Sequence, residues 1–320
     1  YRITNINKYC TATLVSNKLT YSGSGRPGYS KNLWGCFLDI QDLLDDDISI
    51  ASLPRVYHQF QEAMCDKNTS FNEIGEIIIH DSGLTARLLG IVNSAYYGFP
   101  AKIEKISHAI GWIGTDDLSN LLLSTVVIDK FKSIPDSVIN MESFWQHSIA
   151  SGLIARELAS YTETLEPEKY FIAGMLHDIG QIVLCKKLPE LTLKILLDNQ
   201  TQPKQLHIAE FEELGFDHAE LGGRLLEKWN LSEFNVEITT FHHDPNRAPN
   251  YSLGASILYF ADILANTMKL GSSGESTVPP VIDEEAWERI QLPEQIRLTD
   301  LKEKIYKAYD ETVGLFLQVA

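Results

Sequence analysis

The stretch that most constrains this chain is Tyr170–Gln181, an apolar segment that carries His177 and Asp178 side by side. Its composition predicts a hydrophobic helix that is closed by Gly180. Two adjacent polar side chains in a buried helix need partners, because an unpaired buried charge or dipole is energetically costly. The segment therefore predicts either a metal ion at this pair or a hydrogen-bond network that takes the place of one.

Composition limits the classes of partner. The chain has 320 residues, of which 44% are hydrophobic and 22% charged, so it is globular and long enough for one large or two modest domains. Its net charge of −16 argues against binding to nucleic acid or to an anionic membrane surface. No apolar run approaches the roughly 20 residues that cross a bilayer, and polar residues interrupt 1–20 too often for a signal peptide. We expect no nucleic-acid partner and no membrane partner.

The four cysteines are widely scattered and form no CxxC pair. They are Cys10, Cys36, Cys65 and Cys185. This spacing argues against a zinc ribbon or a redox motif. It predicts a reducing cytoplasm as the compartment.

The first 47 residues differ in composition from the rest. Residues 1–47 are rich in Thr, Asn, Ser and Gly, with weak strand character at 9–15 and a Gly/Pro-rich loop at 22–30. An acidic run at 45–47 is typical of a solvated linker. We interpret 1–47 as an accessory segment.

Helical periodicity begins at residue 48 and continues to the C-terminus. It predicts an all-α domain at 48–265, divided into a bundle of short helices at 48–140 and a second helical part at 141–265. Ser70 followed by a glutamate three residues later predicts a capping box. Residues 266–320 predict a C-terminal extension with two terminal helices.

Seven His and Asp side chains lie on or at the ends of predicted helices. They are His147, His177, Asp178, His218, His242, His243 and Asp262. Each one alone has an ordinary explanation, as a helix cap, a satisfied core histidine or a surface carboxylate. Together they form a ligand set for one or two divalent ions, with Fe, Mn, Zn, Mg and Ni all open. A carboxylate beside a histidine can bridge two metals, which suits hydrolysis of a phosphate ester.

Several longer motifs occur in a fixed order across 48–265. They are SLP at 52–54, LTARLLGIVNSAYYGFP at 84–100, HAIGWIG at 108–114, FWQHS at 144–148, AGMLHDIGQ at 173–181, ELGFDHAELGGRLLEKWNL at 213–231 and FHHDP at 241–245. The combination resembles the HDOD domain, the HD-related output domain of bacterial signalling proteins in the HD/HD-GYP superfamily. The resemblance implies an all-helical fold, with the N-terminal bundle packed on an HD-like core.

The resemblance also implies roles for the seven side chains. The basic HD metal positions correspond to His147, His177, Asp178 and Asp262. The positions that hold further metal in HD-GYP enzymes correspond to His218, His242 and His243. Two features depart from the HD-GYP pattern: the Lys that follows HDIG is Gln181 here, and DPNRAPN at 244–250 replaces the GYP signature.

Two functional hypotheses follow. The first is a regulatory output module of a signalling pathway, with a metal-competent pocket, a protein partner and weak or no hydrolase activity. The alternative is a metal-dependent phosphohydrolase that acts on a nucleotide or cyclic nucleotide, with Asp178 as the catalytic residue through its metal. The surviving ligand set favours the second hypothesis. The HDOD pattern and Gln181 favour the first, which is the function that we expect. A third alternative is an enzyme relic whose pocket is closed by its own hydrogen bonds.

Overall fold

In the computed structural model of this protein, helices joined by loops make up the part of the chain that it describes. That part comprises residues 39–45, 50, 52–131, 134, 138–162, 166–274, 282–293 and 298–318. No strand occurs within these ranges, which confirms the predicted all-α class. The strand and loop predicted at 9–15 and 22–30 lie outside them.

The N-terminal part is a bundle of mostly short helices. They are α1 (Ile40–Asp45), α2 (Arg55–Cys65), α3 (Phe71–Ile79), α4 (Ser82–Val92) and α5 (Ile106–Phe131). The capping box predicted at Ser70 is present at the start of α3, with both reciprocal hydrogen bonds to Glu73. Helix α5 consists of two helical segments on either side of Gly114, whose φ of +85° and ψ of 168° are not helical. This break agrees with the sequence, which predicts separate helices at 107–113 and 117–131.

A second group of helices follows. These are α6 (Met141–Ser160), α7 (Glu168–Leu176), α8 (Ile179–Lys187), α9 (Pro189–Thr201), α10 (Leu206–Leu214), α11 (His218–Lys228), α12 (Glu233–Thr240), a 3₁₀ turn (Pro245–Arg247) and α13 (Ser252–Met268). Helix α6 packs against both α7 and α13. Helices α6 and α7 can approach closely because a Cβ on Gly174 would lie only 2.5 Å from the Gly152 Cα.

The prediction of a single helix over Tyr170–Gln181 is wrong. Helix α7 ends at Leu176 and α8 begins at Ile179, so that His177 and Asp178 form the junction between two helices. Apolar residues continue on both sides of the junction, and for this reason the hydrophobic pattern does not reveal the break. The junction directs both polar side chains into the interior.

We predicted that Gly180 ends a helix, and this is wrong. Gly180 lies inside α8, where that helix closely approaches another. A Cβ at this position would lie 2.0 Å from the His218 carbonyl oxygen and 2.8 Å from the Gly222 backbone nitrogen. Only glycine therefore lets α8 meet the first turn of α11. This contact brings Asp178 next to His218.

The C-terminal helices α14 (Glu284–Ile290) and α15 (Leu298–Leu317) agree with the two predicted terminal helices. Helix α15 packs against α6 and α4. The Glu311 carboxylate accepts a hydrogen bond from the Ala95 backbone N–H at 2.9 Å. The division of the chain at residues 47, 140 and 265 stays a prediction. No helix in the described ranges is long and apolar enough to span a membrane.

Gly180→Ala is expected to lower the free energy of unfolding by about 3 kcal/mol, because the added methyl group must push α8 away from α11. Urea denaturation measures this change. Gly111→Ala is the matched control, since a Cβ there meets nothing within 4 Å, and we expect it to stay within about 1 kcal/mol of the wild type. Equal stability of the two variants would contradict the close approach of α8 and α11.

Candidate metal centre

The structure brings all seven predicted side chains together. His147 lies on α6, His177 and Asp178 at the α7–α8 junction, His218 at the start of α11, His242 and His243 directly after α12, and Asp262 on α13. Six of the seven are buried, and His243 alone is half-buried. Residues separated by more than 100 positions thus share one polar cluster inside a helical body.

Asp178 lies at the middle of the cluster, and its two oxygens face different histidines. Asp178 Oδ2 lies 3.1 Å from His177 Nε2 and 3.7 Å from His147 Nε2. Asp178 Oδ1 lies 3.2 Å from His218 Nε2 and 3.7 Å from His242 Nε2. The carboxylate therefore separates two pairs of imidazoles.

Asp262 completes the group on the Oδ2 side. Its Oδ1 lies 3.0 Å from His147 Nε2 and 3.7 Å from His177 Nε2. The same oxygen accepts a hydrogen bond from Asn266 Nδ2 at 2.9 Å, one helical turn further along α13. Asn266 thus orients the carboxylate, a role that the sequence analysis did not assign.

The group on the Oδ1 side includes two residues that the sequence analysis missed. Glu210 Oε2 accepts a hydrogen bond from the His218 backbone N–H at 2.9 Å and lies 2.5 Å from His218 Nδ1. His243 Nε2 lies 2.8 Å from His218 Nε2, and the ring of His207 stacks on His243 with centroids 4.1 Å apart. His207 and Glu210 are three residues apart on α10, so this spacing on one helical face is the signal that could have found them.

The acidic residues raise the proton affinity of two imidazoles. Burial alone would lower the pKa of His177, but Asp178 and Asp262 raise it to about 10. Burial would also lower the pKa of His218, and Glu210 and Asp178 raise it well above its usual value. Without a metal, these two imidazoles would carry protons that compensate the buried carboxylates.

The pKa values of the adjacent His242 and His243 are lowered instead. Burial, together with the charge on His177, lowers the pKa of His242 to about 3. Burial and the neighbouring imidazoles hold the pKa of His243 well below its usual value. Both rings therefore stay neutral at physiological pH, which is the form that binds a metal ion.

Several polar atoms of the cluster are buried without a hydrogen-bond partner in the described structure. They are Asp178 Oδ1 and Oδ2, His177 Nε2 and His242 Nε2. Native proteins rarely leave buried polar atoms unpaired. The donor atoms also converge, because those of His147, His177 and Asp262 lie within 4.8 Å of one another, as do those of His218, His242 and His243. Imidazole nitrogens and carboxylate oxygens in such groups fit divalent transition metals.

The stability of metal-free protein should fall as the pH drops from 6.5 toward 3. The native pKa of His242 is about 3, so in this window the unfolded state binds the proton and the native state does not. The free energy of unfolding then decreases by about 1.4 kcal/mol per pH unit for this group. Urea denaturation with a chelator between about pH 6 and pH 4 measures the slope.

His242→Gln should show a shallower decline than the wild type. His108→Gln, a change at an exposed histidine on α5, should keep the wild-type slope. The same slope in all three proteins would contradict a neutral, buried His242.

Comparison with known proteins identifies a family and a curated relative of this chain. Residues 50–245 match the model of the HDOD domain. An uncharacterized protein from Treponema pallidum (strain Nichols) is 28% identical over 263 residues, which cover 81% of this chain and 49% of that protein. This chain therefore spans about half the length of that relative.

Solved structures share the fold. An HDOD domain protein of unknown function from Geobacter sulfurreducens superposes with a TM-score of 0.69 and 23% identity, over 87% of this chain and 100% of that one. A proposed phosphohydrolase from Shewanella amazonensis SB2B superposes with a TM-score of 0.67 and 24% identity, over 88% of this chain and 98% of that one. A proposed signal transduction protein from Marinobacter aquaeolei VT8 superposes with a TM-score of 0.64 and 18% identity, over 83% of this chain and 59% of that one. Since the family model matches more than half of the sequence, this chain belongs to the HDOD domain family.

Proposed function

We propose that this chain is a regulatory output module of a bacterial signalling pathway, stabilised by two divalent metal ions at Asp178, with little or no hydrolase activity. The observation that carries the proposal is the buried Asp178 carboxylate, whose two oxygens accept no hydrogen bond from the described residues and face separate groups of imidazoles. A buried carboxylate needs compensating positive charge. Two cations would supply it from both sides.

The proposed ligands divide into two sets around Asp178. The first ion would be bound by His147, His177, Asp262 and Asp178 Oδ2, and the second by His218, His242, His243 and Asp178 Oδ1. A divalent ion in such a site neutralises carboxylates, and in hydrolases it activates water and polarises phosphoryl oxygens. His177 and His218 must release protons before they bind a cation, so metal affinity should fall at acid pH.

Contacts behind the ligands support this arrangement. Three imidazoles have Nδ1 next to an acceptor, which leaves Nε2 directed at the cluster. The acceptors are the Gly174 carbonyl oxygen for His177 at 2.8 Å, the Thr239 carbonyl oxygen for His242 at 2.7 Å and Glu210 for His218 at 2.5 Å. Metal-binding histidines usually have such a partner on the other nitrogen, because it fixes the tautomer and the ring orientation.

The surroundings favour a regulatory role over turnover of a phosphoester. Gln181, at the position of the HD-GYP lysine, is buried, and its Nε2 has no hydrogen-bond partner in the described structure. Its side chain lines a cavity of about 10 Å³ with Leu184, Cys185 and Glu210, which has room for about one water molecule. The Gln181 amide therefore contributes no positive charge toward a substrate phosphate.

Access to the cluster is also restricted. Of the proposed ligands, only His243 is half-buried, and the partly exposed ring of His207 stacks on it. Histidines, and no Lys or Arg, are the groups that most lower the pKa of Asp178. A phosphoester would meet a buried site whose charged groups include the carboxylates of Asp178, Asp262 and Glu210.

The second candidate is a metal-dependent phosphohydrolase that acts on a nucleotide or cyclic nucleotide. The placement of Asp178 favours it, because a carboxylate between two ligand groups is the arrangement that two-metal phosphoester hydrolysis requires. In that case Asp178 would be the catalytic carboxylate through its metals. Both candidates require the same metal ligands and differ in turnover.

Metal content should be close to two divalent ions per chain in protein purified without a chelator. Elemental analysis measures it. Asp178→Ala is expected to lower the content of both sites because it removes the shared ligand, with a loss of metal affinity of at least about 10-fold. Asp198→Ala, which changes an exposed carboxylate on α9, should keep the wild-type content. Metal-free wild-type protein, or equal contents in the two variants, would contradict the proposal.

Metal-loaded protein is expected to show no turnover of bis(p-nitrophenyl) phosphate or of a cyclic dinucleotide above the buffer rate. Release of nitrophenol and chromatography of the nucleotide measure this. Metal-dependent turnover that Asp178→Ala abolishes and Asp198→Ala preserves would overturn the regulatory role and establish the phosphohydrolase.

A further inference from the structure

A strip of aromatic rings lies on the surface between α4 and α5, outside the metal centre. We call Tyr97, Phe99 and Trp112 the aromatic strip. The rings of Tyr97 and Phe99 are nearly parallel, with centroids 5.7 Å apart, and the ring of Phe99 lies 5.3 Å from that of Trp112. Trp112 is 61% exposed. Tyr97 and Phe99 are half-buried, so the strip continues from the core to the exposed ring of Trp112. An exposed tryptophan on such an aromatic base is typical of an interaction site.

One end of the aromatic strip meets partly buried polar groups. The ring of Tyr96 lies 4.8 Å from that of Tyr97, and the Tyr96 hydroxyl donates to Glu168 Oε2 at 2.7 Å. Arg156 Nε donates to Glu168 Oε1 at 2.6 Å, and the guanidinium lies over the Tyr96 ring at 4.0 Å. Arg156 is therefore already occupied by Glu168 and Tyr96.

Asp117 lies on α5, five residues after Trp112 and beyond the break at Gly114, and it is close enough to Tyr97 for its charge to act on that phenol. It has no ion pair within the described part of the chain. Burial, together with the charges of Glu168, Asp116 and Glu166, raises the pKa of Asp117 to about 7, and Arg156 opposes the shift. Three carboxylates near Asp117 therefore raise its pKa, and the guanidinium of Arg156 lowers it. Burial, Glu168 and Asp117 also raise the pKa of Tyr97 well above its usual value, so this phenol stays neutral.

The geometry points to a docking surface for a cationic segment of a partner protein, with an arginine side chain lying across the aromatic strip and its guanidinium directed at Asp117. Arginine suits this surface because its planar guanidinium stacks on aromatic rings and pairs with carboxylates. Nucleic acid and anionic lipid carry the wrong charge for it. A second copy of this chain also carries a net charge of −16, so the charge favours a basic partner.

The test uses an acetylated tri-arginine amide, titrated into the full chain by isothermal titration calorimetry. Trp112→Ala should weaken binding about fivefold through loss of cation–π contact. Trp287→Ala is the matched control, because Trp287 is 40% exposed on α14, and it should bind as the wild type does. A tri-glutamate peptide should not bind.

The pH dependence tests the role of Asp117. Ionised Asp117 attracts the guanidinium, so the affinity for the tri-arginine peptide should rise several-fold from about pH 6 to about pH 8. Arginine itself does not titrate in this range. Asp117→Asn should bind more weakly and lose most of the pH dependence. Asp42→Asn, at an exposed carboxylate on α1, should retain both the affinity and the pH dependence.

Unchanged peptide affinity in Trp112→Ala would overturn the proposal. A loss of affinity in Asp42→Asn equal to that in Asp117→Asn would also overturn it, because it would indicate general attraction to an acidic protein. A dimer that Trp112→Ala disperses, without peptide binding, would assign the surface to a second copy and also overturn it. Peptide binding should be the same with and without a chelator. Failure of this proposal is therefore distinguishable from failure of the metal proposal.

Discussion

The whole arrangement depends on one buried carboxylate, that of Asp178, between imidazoles on both sides. An ionised carboxylate in a helical interior is tolerated only with compensating positive charge and well-placed donors. His177 and His218 can give that charge as protons, since neighbouring carboxylates raise the pKa of both. Metal ions can give it instead, and the neutral His242 beside Asp178 suits ions better than protons.

The helical framework explains how this site forms. The break between α7 and α8 turns His177 and Asp178 inward, and Gly180 lets α8 reach the first turn of α11. Helix α7 also carries Glu168 at its first position, where it accepts a hydrogen bond from Tyr96, the neighbour of the aromatic strip. One buried helix of nine residues, about 13 Å long, thus lies between the candidate metal centre and the candidate docking surface.

The seven clustered side chains could be predicted from the sequence because the family resemblance assigns them, whereas the close contacts between helices that position them could not. The capping box at Ser70 depends on neighbouring residues, and so the sequence pattern was sufficient. The break at His177 was missed because apolar residues flank it on both sides. The role of Gly180 depends on a carbonyl group 38 positions away, which no local pattern encodes. Glu210 was missed because a glutamate on a short amphipathic helix usually faces solvent, whereas this one is buried against His218.

The most direct test of the central claim is a crystal structure of protein purified without added metal or chelator, with anomalous scattering measured at the absorption edges of the transition metals found in it. The account predicts two anomalous peaks, one beside each oxygen of Asp178, with the imidazoles of the two ligand groups around them. A cluster without anomalous density, in which His177 and His218 donate hydrogen bonds directly to Asp178, would contradict it.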